Sequence, residues 1–150
     1  MNDACSAADG GSVERDRENR QKERIMVLFS RGGKVRQAYK QICDHGTKPG
    51  QISSCKEHTY VTTKASNKYA QVRFEGWKYY VHIIACMVGC EVAPLPGLEA
   101  SHRCGNPRCI TPEHLVFEDG DTNKSRLCCH KYLGVHPRYV CPHEPCCIVV

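Results

Sequence analysis

The spacing of cysteines and histidines in the last third of the chain constrains the fold more than any other feature. Cys104, Cys109 and His114 form a C-x4-C-x4-H pattern, in a loop that Pro107 and Pro112 stiffen. Zinc in structural sites takes four nitrogen or sulfur ligands arranged as a tetrahedron. One short loop would therefore supply three ligands of a zinc ion, and the fourth must come from a distant part of the chain.

Cys55 is the expected fourth ligand of this first site. It lies just before a predicted strand, and the edge of a sheet could bring it back to the loop. Cys43, Cys86 and Cys90 are the alternatives. These three cysteines are otherwise typical of small buried apolar side chains.

A second set of predicted zinc ligands lies near the C-terminus and comprises Cys129, Cys141, His143 and Cys147. The last three form a C-x-H-x3-C pattern. Cys128 and Cys146 are immediate neighbours of two of these ligands. Adjacent cysteines cannot easily bind one ion together. We therefore expect only one cysteine of each neighbouring pair to be a zinc ligand.

Composition favours metal over disulfides. The chain has 12 cysteines and 8 histidines in 150 residues, with an aromatic content of 7%. So few aromatic residues predict a small hydrophobic core, and small cores usually need disulfides or bound metal ions to stabilise the fold. The N-terminus shows no apolar run typical of a secretory signal, and thiols inside cells stay reduced. We therefore expect two structural zinc ions and an intracellular, nuclear location. No apolar run is long enough to cross a bilayer.

Charge suggests the kind of partner. The net charge is +5, and residues 31–78 hold ten basic residues against three acidic ones. A basic segment of this kind indicates an anionic partner such as nucleic acid, although a solvated surface can have the same balance.

The sequence predicts a small α+β domain with an antiparallel sheet. Residues 1–23 are expected to be a polar tail, disordered or helical from about Val13, and residues 24–150 one zinc-stabilised domain. Residues 24–44 predict two helices separated by the Gly32-Gly33 pair, and residues 44–54 predict a loop.

The remaining elements are predicted from composition and from alternation of apolar residues. The predicted strands are 58–64, 69–74, 78–87 and 114–119, with hairpin turns at 65–67 and 75–77. Residues 91–100 predict a loop because they contain two prolines. Residues 120–130 predict a helix with Asp121 as its N-cap.

Two residues beside the first zinc pattern suit a hydrolytic site. His102 lies two residues before Cys104 and is not needed as a zinc ligand, so its imidazole could take a proton from water. Asn123, nine residues after His114, offers a hard carbonyl oxygen that suits Mg²⁺. Taken singly, a histidine of this kind is more often structural, and an asparagine near a helix start is more often a cap.

Together these residues resemble a known family. The motifs S-H-x-C-x4-C-x4-H, N-x2-R-x2-C and C-x-H-x3-C, from Ser101 to Cys147, resemble the His-Cys box homing endonucleases of the ββα-metal, or His-Me finger, superfamily. A weaker resemblance extends upstream to Cys55. The resemblance to this family implies two structural zinc ions, one catalytic Mg²⁺, DNA as the partner and a possible homodimer. The implied reaction is phosphodiester hydrolysis that leaves a 5′-phosphate and a 3′-hydroxyl.

The resemblance also implies roles for three residues. His102 would activate water, and Asn123 would bind Mg²⁺ at the scissile phosphate and the 3′ leaving oxygen. Arg73 best fits an arginine that contacts phosphate from an upstream strand, since a guanidinium can stabilise a charged transition state by bidentate contact. On residue type alone, Arg73 is equally a solvent-facing strand residue.

The resemblance further implies a β-sheet in the major groove of DNA, which residues 58–84 could supply. Candidate phosphate contacts are Lys56, Lys64, Lys68 and Lys78. The rival hypothesis is a non-catalytic zinc module that binds nucleic acid or protein on the same scaffold.

Overall fold

A computed structural model describes residues 12–50, 54–62 and 69–148 of the chain. Its helices are α1 (Ser12–Ser30), α2 (Lys34–His45), α3 (Val81–Cys90) and α4 (Gly120–Tyr132), with a 3₁₀ turn at Pro112–His114. Its strands are β1 (Thr47–Pro49), β2 (Lys56–His58), β3 (Gln71–Phe74), β4 (Trp77–Tyr80), β5 (Leu98–His102) and β6 (Leu115–Asp119). The predicted turn at 65–67, the end of the predicted strand 58–64, and Lys64 and Lys68 lie outside the described residues.

Helices α1 and α2 form the predicted pair. The break falls at Gly32 and Gly33, whose φ angles of 42° and 73° lie in the left-handed region that glycine adopts without strain. Helix α1 runs through residues 23 and 24 without interruption, so one helix joins the predicted tail to the predicted domain.

The strands in the described residues pair as three antiparallel hairpins, β1–β2, β3–β4 and β5–β6. The β5–β6 register places His102 opposite Leu115 and Ala100 opposite Phe117. With four helices packed against these hairpins, the predicted α+β class is confirmed.

The strand predicted at 78–87 is largely wrong. Only its first residues are extended, as part of β4, and α3 begins at Val81. Val81, Ile84, Ala85, Cys86 and Met87 are all buried in the core. A short apolar run cannot be assigned to strand or buried helix by periodicity alone, and burial outweighs the β propensity of its residues.

Four smaller predictions also need correction. The strand predicted at 58–64 is displaced toward the N-terminus, since β2 ends at His58 and residues 59–62 form no strand. Strand β1 lies inside the predicted loop 44–54, and β5 begins at Leu98 inside the predicted loop 91–100. The N-cap of α4 is Asp119, not Asp121, because Asp119 Oδ1 accepts a hydrogen bond from the Thr122 N–H at 2.9 Å. The strand passes directly into the helix, so the last strand residue is the cap.

The hydrophobic core lies between the helix pair, α3 and the hairpins β3–β4 and β5–β6. Fully buried residues from α1, α2 and α3 meet at its centre, for example Ile25, Ile42 and Ile84. None of the helices in the described part of the chain has the length and apolar character needed to cross a bilayer.

Candidate metal centres and active site

The first cysteine–histidine cluster joins two hairpins. Cys55 precedes β2, Cys104 and Cys109 lie in the loop after β5, and His114 ends the 3₁₀ turn before β6. The structure brings these four predicted ligands together, and all four are buried. Their ligand atoms lie within 4.8 Å of one another. Backbone pairing holds the two parts in place, because Ile110 N–H donates to the Lys56 carbonyl at 2.7 Å.

The geometry of this cluster fits zinc. The His114 Nδ1 atom lies 3.3 Å from Cys55 Sγ and 3.4 Å from Cys109 Sγ. Zinc–ligand bonds of ordinary length give ligand-to-ligand separations of roughly 3.6–3.8 Å in a tetrahedron. Burial raises the pKa of the Cys55 thiol to about 11, so a cation is needed to stabilise the thiolate there.

The three alternative cysteines lie elsewhere. Cys86 is buried in the hydrophobic core, and Cys43 and Cys90 pack against it. The thiols of Cys86 and Cys90 lie 3.9 Å apart within α3. These positions match the interpretation of all three as small apolar side chains.

The second cluster holds the end of the described chain against α4. It is formed by Cys129, Cys141, His143 and Cys147, again with ligand atoms within 4.8 Å of one another. The His143 Nδ1 atom lies 3.3 Å from Cys141 Sγ and 3.6 Å from Cys147 Sγ. Cys147 is buried, whereas its neighbour Cys146 is exposed and outside the cluster.

Polar groups around the second cluster orient its ligands. The second ring nitrogen of His143 is hydrogen-bonded to Ser125 Oγ, an outer contact of the kind that fixes metal-ligating histidines. The Arg126 guanidinium donates to Cys147 Sγ at 3.4 Å and to both carboxylate oxygens of Glu118, at 2.6 and 2.9 Å. Sequence reasoning assigned no role to Arg126, although the N-x2-R-x2-C motif places it between Asn123 and Cys129.

His102 is held at the end of β5 beside the first cluster. It is 9% exposed, and its Nε2 lies 3.1 Å from the carbonyl oxygen of Cys109. A carbonyl can only accept, so Nε2 carries the proton and Nδ1 keeps a lone pair. Burial lowers the pKa of His102 to about 4, so the imidazole is neutral at physiological pH.

Asn123 lies in the first turns of α4, next to the strand that carries His102. Its Oδ1 accepts a hydrogen bond from Ser101 Oγ at 2.8 Å, and its Nδ2 donates to Glu99 Oε2 at 2.9 Å. Because a carboxylate only accepts, the amide nitrogen must face Glu99 and the oxygen must face Ser101. Sequence reasoning missed Glu99 and the positioning by Ser101, since the β5–α4 packing was not known.

Two aromatic residues that the sequence did not single out stand beside His102. The rings of His82 and Tyr69 are stacked 4.5 Å apart, and the His102 ring lies 5.6 Å from His82 and 6.3 Å from Tyr69. His82 was missed because its segment was predicted as a strand.

A pocket of about 240 Å³ adjoins these groups. It is lined by Tyr69, His82, Glu99 and Asn123, among others. The carboxylate of Glu99, the amide of Asn123 and the imidazole of His82 thus surround one open space, which is suited to a polar ligand. His102 does not line this space itself and adjoins it through its ring contacts with His82 and Tyr69.

Arg73 lies on the exposed side of β3, away from the core. It is directly opposite Lys78 on β4, and both side chains border a surface cavity that Tyr69 also lines. Tyr69 therefore lines both the cavity on the β3–β4 hairpin and the pocket beside His102. The structure gives no direct contact between Arg73 and either His102 or Asn123 in the described residues.

Comparison with known proteins agrees with the two clusters. The family model described as the zinc-binding loop region of homing endonuclease matches residues 46–150. No curated protein and no solved structure showed a significant match. Since the family model covers more than half of the chain and includes all eight clustered ligands, the chain belongs to the family of the zinc-binding loop region of homing endonucleases.

Proposed function

We propose that the chain is a zinc-stabilised, Mg²⁺-dependent endonuclease that hydrolyses phosphodiester bonds in DNA. The observation that carries this proposal is the orientation of His102. The Cys109 carbonyl fixes the proton on Nε2, so that Nδ1 is available as a base. Structural zinc at the first cluster would hold the loop that supplies this carbonyl.

Proton transfer to His102 would accompany attack on the phosphate. Nδ1 takes a proton from water as the water oxygen forms a bond to phosphorus. The bond from phosphorus to the 3′ oxygen then breaks, and that oxygen takes a proton from solvent water, which leaves a 5′-phosphate and a 3′-hydroxyl. The imidazolium of His102 returns its proton to solvent. When bound, Mg²⁺ would supply charge stabilisation at the phosphate and the departing oxygen.

Asn123 is the proposed ligand for that cation. A carbonyl oxygen has two lone pairs, so Oδ1 can accept from Ser101 and still bind a hard cation. Glu99 holds the amide nitrogen on the opposite side and prevents the carboxamide from turning its nitrogen toward the cation. The donor set fits Mg²⁺, with water and phosphate oxygens as the remaining ligands.

The β3–β4 hairpin supports DNA as the substrate. Two cations placed directly opposite each other on a sheet repel, yet Arg73 and Lys78 form no ion pair with any acidic group in the described residues. An anionic partner such as the phosphate backbone would relieve this repulsion. Arg73 is the proposed phosphate contact because its planar guanidinium can bind bidentately.

Cleavage of supercoiled plasmid, with and without Mg²⁺, tests the proposal directly. His102→Ala should abolish Mg²⁺-dependent cleavage with zinc content and far-UV circular dichroism unchanged. His136→Ala is the matched control, because that histidine is exposed. Equal cleavage by wild type and the His102 variant would refute the role of His102 as base. Plasmid binding without any cleavage by the wild type would favour the non-catalytic zinc module.

Asn123 has its own test. Asn123→Ala should raise the Mg²⁺ concentration needed for half-maximal cleavage and lower the maximal rate, whereas Asn123→Asp keeps an oxygen ligand and should retain more activity. An unchanged Mg²⁺ titration in Asn123→Ala would count against the assignment.

The homodimer and the nuclear location stay predictions.

A further inference from the structure

Helix α1 is firmly attached to the rest of the molecule, although it precedes the residues that the family model matches. Ile25 and Leu28 on its inner face are buried in the core. The Arg24 guanidinium lies over the Trp77 ring, 4.0 Å from its centroid. These contacts bind α1 to the same β3–β4 hairpin that carries Arg73.

A second attachment lies at the turn of that hairpin. The carboxylate of Glu75 forms ion pairs with Arg31, just after α1, and with Lys34 at the start of α2. The helix pair therefore contacts the hairpin at its turn and at Trp77, the first strand residue after the turn. This arrangement gives α1 a fixed position relative to the pocket beside His102.

The inner face of α1 continues to that pocket. Gln21 lies four residues before Ile25 and so on the same face of the helix. Gln21 and its neighbour Lys22 line the pocket together with Glu99 and Asn123. The N-terminal helix thus forms one wall of the candidate active site.

Both side chains are available to a ligand. Gln21 Oε1 is buried and has no hydrogen-bond partner in the described part of the chain, whereas buried polar atoms in native proteins are generally paired. Lys22 is half-buried, and it forms no ion pair among the described residues even though Glu99 lines the same pocket.

We propose that α1 supplies Lys22 to the substrate site as a ligand for a DNA backbone phosphate. The inference rests on the proposed nuclease function and adds a binding residue from outside the matched region. A lysine ammonium is a compact point charge suited to phosphate. Gln21 Oε1 can only accept a hydrogen bond, so it does not contact the phosphate itself. Lys22 would bind a phosphate and take no part in proton transfer, so its loss weakens binding without removing the base.

The test compares Lys22→Ala, Lys22→Arg and a matched control, Arg20→Ala, all in the full chain. Arg20→Ala also removes one positive charge, but from an exposed position two residues earlier on the same helix. Binding of a labelled DNA duplex is measured by fluorescence anisotropy over a range of salt concentrations, in a His102→Ala background that prevents cleavage. Plasmid cleavage is measured with His102 intact.

Lys22→Ala should raise the Kd about tenfold, because a charge-assisted contact is lost. The slope of log Kd against log salt should fall by about one for that single phosphate contact. Lys22→Arg should restore most of the affinity, and Arg20→Ala should change it less than twofold. The KM for plasmid should rise in Lys22→Ala with kcat changed less.

Three outcomes separate the hypotheses. If the wild type neither binds nor cuts DNA, the proposed function fails. If the wild type does both and Lys22→Ala matches Arg20→Ala in affinity and salt slope, the role of Lys22 is overturned while the proposed function stands. Faster cleavage by Lys22→Ala would also overturn it, and would show that α1 obstructs the pocket.

Discussion

The two cysteine–histidine clusters differ in what their ligands join together. The first takes Cys55 from before β2 and the other three ligands from between β5 and β6, so it links parts of the chain that are far apart in sequence. All four ligands are buried. The second takes Cys129 from α4 and three ligands from the irregular segment that follows, and two of its ligands are only half-buried. The first cluster is therefore central to the fold, whereas the second fastens one segment to one helix.

Arg126 connects the two regions. Its guanidinium is 1% exposed and binds Glu118 on β6 as well as the Cys147 thiol of the second cluster. Strand β6 begins next to His114 of the first cluster. Changes at either end of this chain of contacts can show how far the two clusters depend on each other.

The largest effect is expected from breaking the first cluster. Cys109→Ala should remove a zinc ion that contributes on the order of 10 kcal/mol to folding, and should leave His102 without a fixed loop. We expect loss of the cooperative thermal transition in far-UV circular dichroism. Elemental analysis should find at most one zinc ion per chain. A cooperative, folded variant would contradict the central position of this cluster.

A smaller effect is expected from breaking the second cluster. Cys147→Ala should release one zinc ion of two and expose the segment after α4 to proteases, with the core still folded because the core residues come from other elements. Limited proteolysis with mass spectrometry should locate the first cuts after residue 132. Global unfolding of this variant, as severe as that of Cys109→Ala, would show that the clusters are equivalent.

The connection between the clusters is tested by Glu118→Gln. Removal of the carboxylate leaves the buried Arg126 charge with the Cys147 sulfur as its remaining contact. Loss of one partner from a buried ion pair typically costs about 3–5 kcal/mol. The free energy of unfolding from urea titration should fall by that order, with both zinc ions retained. Loss of zinc from this variant would mean that Arg126 governs metal binding at the second cluster rather than only the packing of α4 on β6.

The smallest effect is expected from Cys146→Ser. This thiol is exposed and outside the second cluster, so the stability should change by less than about 0.5 kcal/mol. Zinc content and the proteolysis pattern should equal those of the wild type. A loss of one zinc ion here would mean that Cys146, and not Cys147, is the ligand.

The zinc ligands were predictable because their spacing is local. In the C-x4-C-x4-H and C-x-H-x3-C patterns, a short loop cannot avoid bringing its own ligands close together. Cys55 was preferred over Cys43, Cys86 and Cys90 only because it precedes a predicted strand, since no spacing pattern links any of the four to the loop. Only the pairing of β2 with the residue 109–110 region decides among them.

Other parts of the site could not be read in the same way. Helix α3 was predicted as a strand because its residues suit both structures. For that reason the sequence did not predict that His82 would lie beside His102. No sequence motif marks Glu99 or Lys22 as a site residue. The packing of α4 on β5 brings Glu99 to Asn123, and the packing of α1 on the β3–β4 hairpin brings Lys22 to the pocket.

The sequence by itself predicted the two zinc sites, because thiols and imidazoles at these short spacings are typical ligands of structural zinc. It also predicted His102 as the base and Asn123 as the cation ligand, through the resemblance carried by motifs from Ser101 to Cys147. The tertiary structure alone decided which lone pair of His102 is free, which way the Asn123 carboxamide points, and which residues form the walls of the pocket. These depend on hydrogen bonds and packing between elements distant in sequence, and no local pattern records them.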